Sequence, residues 1–124
     1  MRVKTHKDLD IWKEGIEIVT TVYELTKTFP DFEKYGLTSQ MQRAAVSIPS
    51  NIAEGAARNS KKEFIQFIYV ALGSLSELET LLIISKKLNY LSDERYKLIN
   101  NKIVDLRKKM LNFLKYLREK CELK

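Results

Sequence analysis

The sequence predicts an all-α fold, an antiparallel up-down four-helix bundle with a kink in its second helix. Three observations predict it. Apolar residues recur at helical spacing in four long segments, short polar turns separate those segments, and the chain of 124 residues holds only 4 Gly and 2 Pro, too few for a turn-rich β fold.

The first helix runs from Leu9 to about Thr28. Two adjacent stripes, Trp12, Ile16, Val19, Tyr23 and Ile11, Ile18, Val22, Leu25, keep helical spacing until Phe29-Pro30-Asp31 stops them. A loop through Tyr35-Gly36 leads to Thr38-Ser39, short hydroxyl side chains of the kind that cap a helix start. The second helix then carries an apolar face of Leu37, Met41, Ala44, Ala45, Ile48, Ile52 and Ala56, with Pro49 inside it. Proline removes one backbone hydrogen bond and crowds the preceding turn, so a kink is expected between Ala45 and Ser50.

Ser60-Lys-Lys-Glu63 reads as a capping box opening a third helix that reaches about Leu88. Nine of the twelve residues from Phe64 to Leu75 are apolar. Either a long central helix or burial between copies of the chain accounts for so apolar a circumference. After the turn Asn89-Tyr90-Leu91, Ser92-Asp93-Glu94 caps a fourth helix that runs to about Glu119, with Ile99, Ile103, Leu106, Met110, Phe113 and Leu117 inward. Short loops join antiparallel neighbours. The whole chain therefore reads as one domain, 1–124.

Composition narrows the chemistry. Apolar residues make up 44% and charged residues 31%, the mixture of a folded, charge-coated soluble protein. No uncharged apolar run approaches the ~20 residues that span a bilayer, and the first residues are too polar for a signal peptide, so a cytoplasmic protein without membrane association is expected. His6 is the only histidine and precedes the first helix; Cys121 is the only cysteine and lies in a charged tail. The usual general base, zinc ligands and disulfides are thus missing from the body of the chain. Neither enzyme activity nor a metal, cofactor or small-molecule substrate is expected.

Charges on the helix faces supply the candidate sites. Advancing ~100° per residue from Phe64, Glu79 falls between Ile68 and Leu72, and in the fourth helix Arg107 falls between Leu114 and Leu111. Both are candidate buried charges, and a buried arginine needs an acidic partner. Arg43, Ser47, Asn51, Glu54 and Arg58 share one arc of the second helix and form a polar ridge. That ridge reads as an internal network fixing helix register, or as a surface for a partner or neighbouring subunit. A catalytic set drawn from Glu54, Glu77 and Glu79 is the remote third reading; paired metals in a bundle want Glu-x-x-His pairs that this chain lacks.

The net charge is +6, and residues 92–124 hold ten Lys or Arg against five Asp or Glu. Lys97, Lys108 and Lys115 cluster near one helical angle, while Lys102, Lys109 and Lys120 cluster on the other flank of the apolar face. Two such stripes are either solvated surface or a grip on phosphate, RNA or DNA. Without an aromatic stacking platform, reading by shape and charge is expected, not reading of bases. A protein-binding or structural scaffold with no nucleic-acid role is the rival function.

The run from Gly36 to Gly55, containing Ser47-Ile-Pro-Ser-Asn-Ile-Ala-Glu-Gly55, followed by Glu63-Phe64, Ala71-Leu-Gly-Ser74 and Glu77-Leu-Glu79, resembles the bacterial four-helix-bundle family named for intervening sequences within 23S ribosomal RNA genes. The likeness extends from Leu9-Asp-Ile-Trp12 through the fourth helix. It implies an up-down bundle, assembly into homopentameric rings and a connection with RNA. A related branch of similar bundles serves retroelement reverse transcriptases as an accessory subunit, but the Ser-Ile-Pro-Ser-Asn motif is similar to the first group. The family pattern falls here on Arg43, Pro49, Asn51, Glu54, Gly55, Arg58, Gly73, Ser74, Glu77 and Glu79. Gly55 and Gly73 are expected to allow close backbone approach.

Overall fold

A computed structural model describes His6 and residues 9–122, with side chains as far as residue 119. Four helices fill it: α1 (Asp10–Thr26), α2 (Leu37–Ala56), α3 (Lys61–Lys87) and α4 (Asp93–Glu122), with one 3-10 turn at Asp31–Glu33. Each helix packs on its neighbours in the cycle α1, α2, α3, α4 and back to α1, and among the described residues the backbones of neither diagonal pair come close, their side chains meeting only in the shared core. Contacting residues rise in number along one helix while they fall along the next. Thr26 meets Gln42 and Gly15 meets Pro49; Met41 meets Ser85 and Ser47 meets Ser74; Glu79 meets Arg107 and Lys86 meets Asp93.

Only one of the two apolar stripes of α1 enters the core. Ile11, Ile18, Val22 and Leu25 are buried, whereas Ile16 and Tyr23 are exposed, and Ile16 with Trp12 and Val19 borders a groove floored by Val46 and Pro49 of α2. The core itself is aliphatic. Ile48, Ile52, Ile68, Leu75, Leu78, Ile99, Ile103, Leu106 and Met110 are fully buried, and each side chain of this kind contributes ~1.5–3 kcal/mol on leaving water.

The helix starts follow local chemistry, with one correction. Ser60 Oγ accepts from Glu63 N at 3.2 Å, and Ser92 Oγ accepts from Arg95 N at 3.2 Å, as their sequence positions suggest. Thr38 and Ser39 do not cap α2; they lie within its first turn. Glu33 does the work instead, one carboxylate oxygen accepting from Leu37 N at 3.1 Å and the other from the Tyr90 hydroxyl at 2.9 Å. Glutamate reaches across the Gly36 turn because Gly36 has no side chain; a Cβ there would stand 2.8 Å from Glu33 Oε1. At the end of α3, Asn89 takes φ 65° while Tyr90 N donates to Ser85 O and Asn89 N to Lys86 O, the paired bonds that close a helix over a left-handed residue.

Helix α2 continues through Pro49, and Gly15 of α1 lies against that proline. The two family glycines of α2 and α3 behave differently. A Cβ on Gly55 would stand 2.7 Å from Phe67 Cβ and 2.8 Å from Phe64 Cδ1, so glycine is what lets α3 lie so close to α2. Gly73, expected to serve the same purpose, has open space around it.

Length and composition alone would let α3 cross a membrane, which the charge spacing in the sequence did not suggest. In this fold Phe64, Ile68, Ala71, Leu75, Leu78 and Leu82 face the core, and Tyr69, Val70, Ile83 and Ile84 face outward.

Candidate nucleic-acid interface

Helix α4 supplies the candidate basic surface, and its two lysine stripes have different surroundings. On the flank beside α1, Lys102 Nζ lies 2.5 Å from Glu17 Oε1, and Lys109 Nζ donates to Glu14. The Glu14 hydrogen bond and charge hold the Lys109 ammonium above its usual pKa. These two lysines are committed to the α1–α4 seam. Lys120 lies outside the residues whose side chains are described.

The other flank is unpaired. Lys97, Lys108 and Lys115 are exposed, and no described carboxylate lies within ion-pair distance of any of them. Arg118 follows Lys115 by three residues and sets its guanidinium 5.2 Å from the centre of the exposed Tyr69 ring on α3. Lys97 and Lys115 lie ~27 Å apart along a helix, with Lys108 between them. Sequence periodicity identified this row, but only the fold shows that its opposite number is neutralised across the seam.

The polar ridge of α2 divides in the same manner. Ser47 and Ser74 hydroxyls meet at 2.8 Å across the α2–α3 contact, and Asn51 Nδ2 donates to Ser47 Oγ at 2.9 Å and to Ser47 O at 2.8 Å. One helical turn on, Arg58 bonds Glu54 at 2.9 Å and covers the Phe67 ring at 5.1 Å. This half of the ridge joins α2 to α3. Arg43 and Glu77 have no ion-pair partner among the described residues, and they share a shallow groove with Gln40, Ala44 and Ser47.

Glu79 and Arg107 face one another, as the angular argument placed them, with Arg107 Nη2 3.0 Å from Glu79 Oε1 and Nη1 3.3 Å from Oε2. They are not buried. Their side chains keep 31% and 28% of their exposure, so the pair sits at the rim of the α3–α4 contact. The carboxylates of the remote catalytic reading are not drawn together: Glu54 is tied to Arg58, Glu79 to Arg107, and Glu77 lies in the groove beside Arg43. Among the described residues no group of three His, Cys, Asp or Glu gathers in one place.

Two aromatic side chains lie outside every stripe and ridge described above. Phe32 and Tyr35, between α1 and α2, stand 79% and 88% exposed, far above every other large apolar side chain described. In the sequence this run looked only like a helix stop. Two aromatics three apart after a proline, outside any apolar stripe, were the available signal.

Comparison with known proteins agrees with this architecture. A search of curated proteins finds no match. Among solved structures, a protein of unknown function from the S23 ribosomal protein family of Bacteroides thetaiotaomicron superposes with a TM-score of 0.79, at 25% identity, over 85% of this chain and 98% of that one. The 23S rRNA-intervening sequence protein family matches residues 7–112. With four helices in cyclic contact and a match over most of its length, this chain belongs to the 23S rRNA-intervening sequence protein family.

Proposed function

We propose that this chain is a non-enzymatic, self-associating helical bundle that binds structured nucleic acid through the outer flank of α4. One observation carries the reading. Of the five nominated lysines whose side chains are described, Lys102 and Lys109 are neutralised across the α1–α4 seam, while Lys97, Lys108 and Lys115 stand in one unpaired row. A row of that length, with a net charge of +6 behind it, suits a phosphate backbone. The family name, which refers to 23S rRNA, points the same way.

Self-association is supported by the outward apolar residues Tyr69, Val70, Ile83 and Ile84 of α3, in keeping with the homopentamer that the family resemblance implies. Repetition of the row around a ring multiplies its field and makes weak contacts additive.

Changing Lys108 and Lys115 together to Glu tests the surface. Binding of both RNA and DNA is expected to fall by at least about tenfold, the loss of two phosphate contacts and the gain of two repulsions, with the sedimentation velocity of the protein unchanged. Undiminished binding places the contact elsewhere. Absence of binding by the unaltered protein favours the scaffold reading, in which the groove of Trp12, Ile16, Val46 and Pro49 meets a protein partner.

A further inference from the structure

We propose that the turn between α1 and α2 is a stacking platform for unpaired bases, with Phe32 and Tyr35 as its two rings. The inference rests on the nucleic-acid reading above and adds what kind of nucleic acid is taken: a stem-loop, its stem along α4 and its loop at this end of the bundle.

Exposure is the first ground. A chain that buries Ile48, Ile52 and Leu75 completely leaves Phe32 at 79% and Tyr35 at 88% exposure. Rings so exposed contribute almost nothing to the core. The backbone beneath them is nonetheless firmly held. Glu33 N donates to Pro30 O at 2.9 Å, Lys34 N to Asp31 O at 3.1 Å and Gly36 N to Glu33 O at 2.9 Å. Glu33 is anchored through both carboxylate oxygens, to Leu37 N and to the Tyr90 hydroxyl, and Phe29 is buried with its ring 5.3 Å from that of Tyr90. These bonds link 30 to 33, 31 to 34 and 33 to 36, so the turn that carries both rings is bonded along its length, and Phe32 and Tyr35 stand on it three residues apart. Such a platform loses little conformational freedom when a ligand docks.

Size and charge choose the occupant. Two rings offer at most ~300–500 Å², below the ~800 Å² per partner of a stable protein interface. Asp31, Glu33 and Lys34 flank them in the chain, unlike the apolar centre of a protein-docking patch, and of the two carboxylates Glu33 is already engaged by Leu37 N and the Tyr90 hydroxyl. One or two bases fit that area, and the Lys34 ammonium, 5.5 Å from the centre of the Tyr35 ring, is placed to meet the adjoining phosphate. The turn also lies at the right end. Tyr90, bonded to Glu33, comes just before Ser92, which caps α4, so the unpaired row beginning at Lys97 starts near the platform. The ~27 Å of helix from Lys97 to Lys115 is the axial length of about eight base pairs at the 3.4 Å rise of B-form DNA, and of slightly more in an A-form RNA stem with its shorter rise.

The test compares a hairpin RNA, of about eight base pairs closed by an unpaired pyrimidine loop, with the same stem as a blunt duplex. Phe32→Ala with Tyr35→Ala is expected to weaken hairpin binding by roughly 5- to 100-fold, the range for loss of one stacked base, and to leave duplex binding and the thermal midpoint unchanged. Phe32→Leu with Tyr35→Leu, which keeps apolar bulk and removes the π faces, is expected to behave like the alanine pair. Equal loss on hairpin and duplex, or no loss on either, overturns the platform while the α4 reading stands. Retained hairpin affinity in the leucine pair also overturns stacking and assigns the turn to apolar docking. Failure of the unaltered protein to bind either RNA removes the nucleic-acid reading and the platform with it.

Discussion

Arg107 on α4 grips Glu79 on α3 with both terminal nitrogens, at 3.0 and 3.3 Å from the two carboxylate oxygens, while roughly a third of each side chain stays in water. Geometry makes this pair stronger than an ordinary surface ion pair, and exposure makes it weaker than a buried one. Glu79→Ala is therefore expected to cost about 1–2 kcal/mol in urea denaturation, with most of that loss appearing as coupling in a double-mutant cycle with Arg107→Ala. A loss below about 0.5 kcal/mol, the size of ordinary surface changes, would show that the contact contributes nothing to stability.

Gly55 and Gly73 predict opposite responses to the same substitution. Gly55→Ala drives a methyl group into Phe64 and Phe67, both at less than 3 Å, and is expected to destabilise by about 1–3 kcal/mol through overpacking. Gly73→Ala meets open space on the outer face of α3 and is expected to stabilise by about 0.5–1 kcal/mol through helix propensity. Thermal melts of the two single variants check both signs at once.

Charge reversal separates the two lysine stripes by stability as well as binding. Lys109→Glu sets a carboxylate against Glu14, and Lys102→Glu sets one against Glu17, so both are expected to lower the urea midpoint. Lys97 makes no ion pair among the described residues, so Lys97→Glu breaks none and is expected to leave the midpoint nearly unchanged while weakening nucleic-acid binding. Equal midpoints for all three variants would contradict the division of α4 into a paired and an unpaired flank.

Alkali is expected to weaken the fold. Glu14 holds the Lys109 pKa above the usual lysine value of 10.5, and partial burial with the Glu33 carboxylate holds Tyr90 above the usual tyrosine value of 10.0. In each case the native state keeps its proton to higher pH than the unfolded chain. The stabilisation is fully present below the unfolded values and is lost as pH rises from about 10 through the folded values. Denaturant midpoints should be level between pH 8 and about 9.5 and fall beyond it. Tyr90→Phe should remove the tyrosine part of that fall.

The four-helix pattern was legible because apolar periodicity reports burial directly, and the caps at Ser60 and Ser92 because a hydroxyl bonds within its own turn. The start of α2 was not legible in the same way. Its cap is Glu33, four residues upstream of Leu37 and held by Tyr90 from another loop, a contact that no local window contains. The facing of Glu79 and Arg107 followed from helical angles, but their partial exposure depends on where α3 and α4 part, which angles do not give. The same reason hid the pairing of Lys102 and Lys109: nothing within α4 says that Glu17 and Glu14 of α1 stand opposite. Gly73 misled because a glycine in a helix looks the same from sequence whether another helix lies over it, as at Gly55, or nothing does.

A grip of the unpaired flank of α4 on phosphates is tested most directly by the salt dependence of binding. Protein stripped of carried-over nucleic acid is titrated with a structured RNA hairpin and a DNA duplex between roughly 50 and 200 mM salt. A straight, steep fall of log affinity with log salt is expected, with a shallower slope for the Lys108→Glu, Lys115→Glu variant as its phosphate contacts are lost. A flat dependence, or an identical slope for protein and variant, would contradict it.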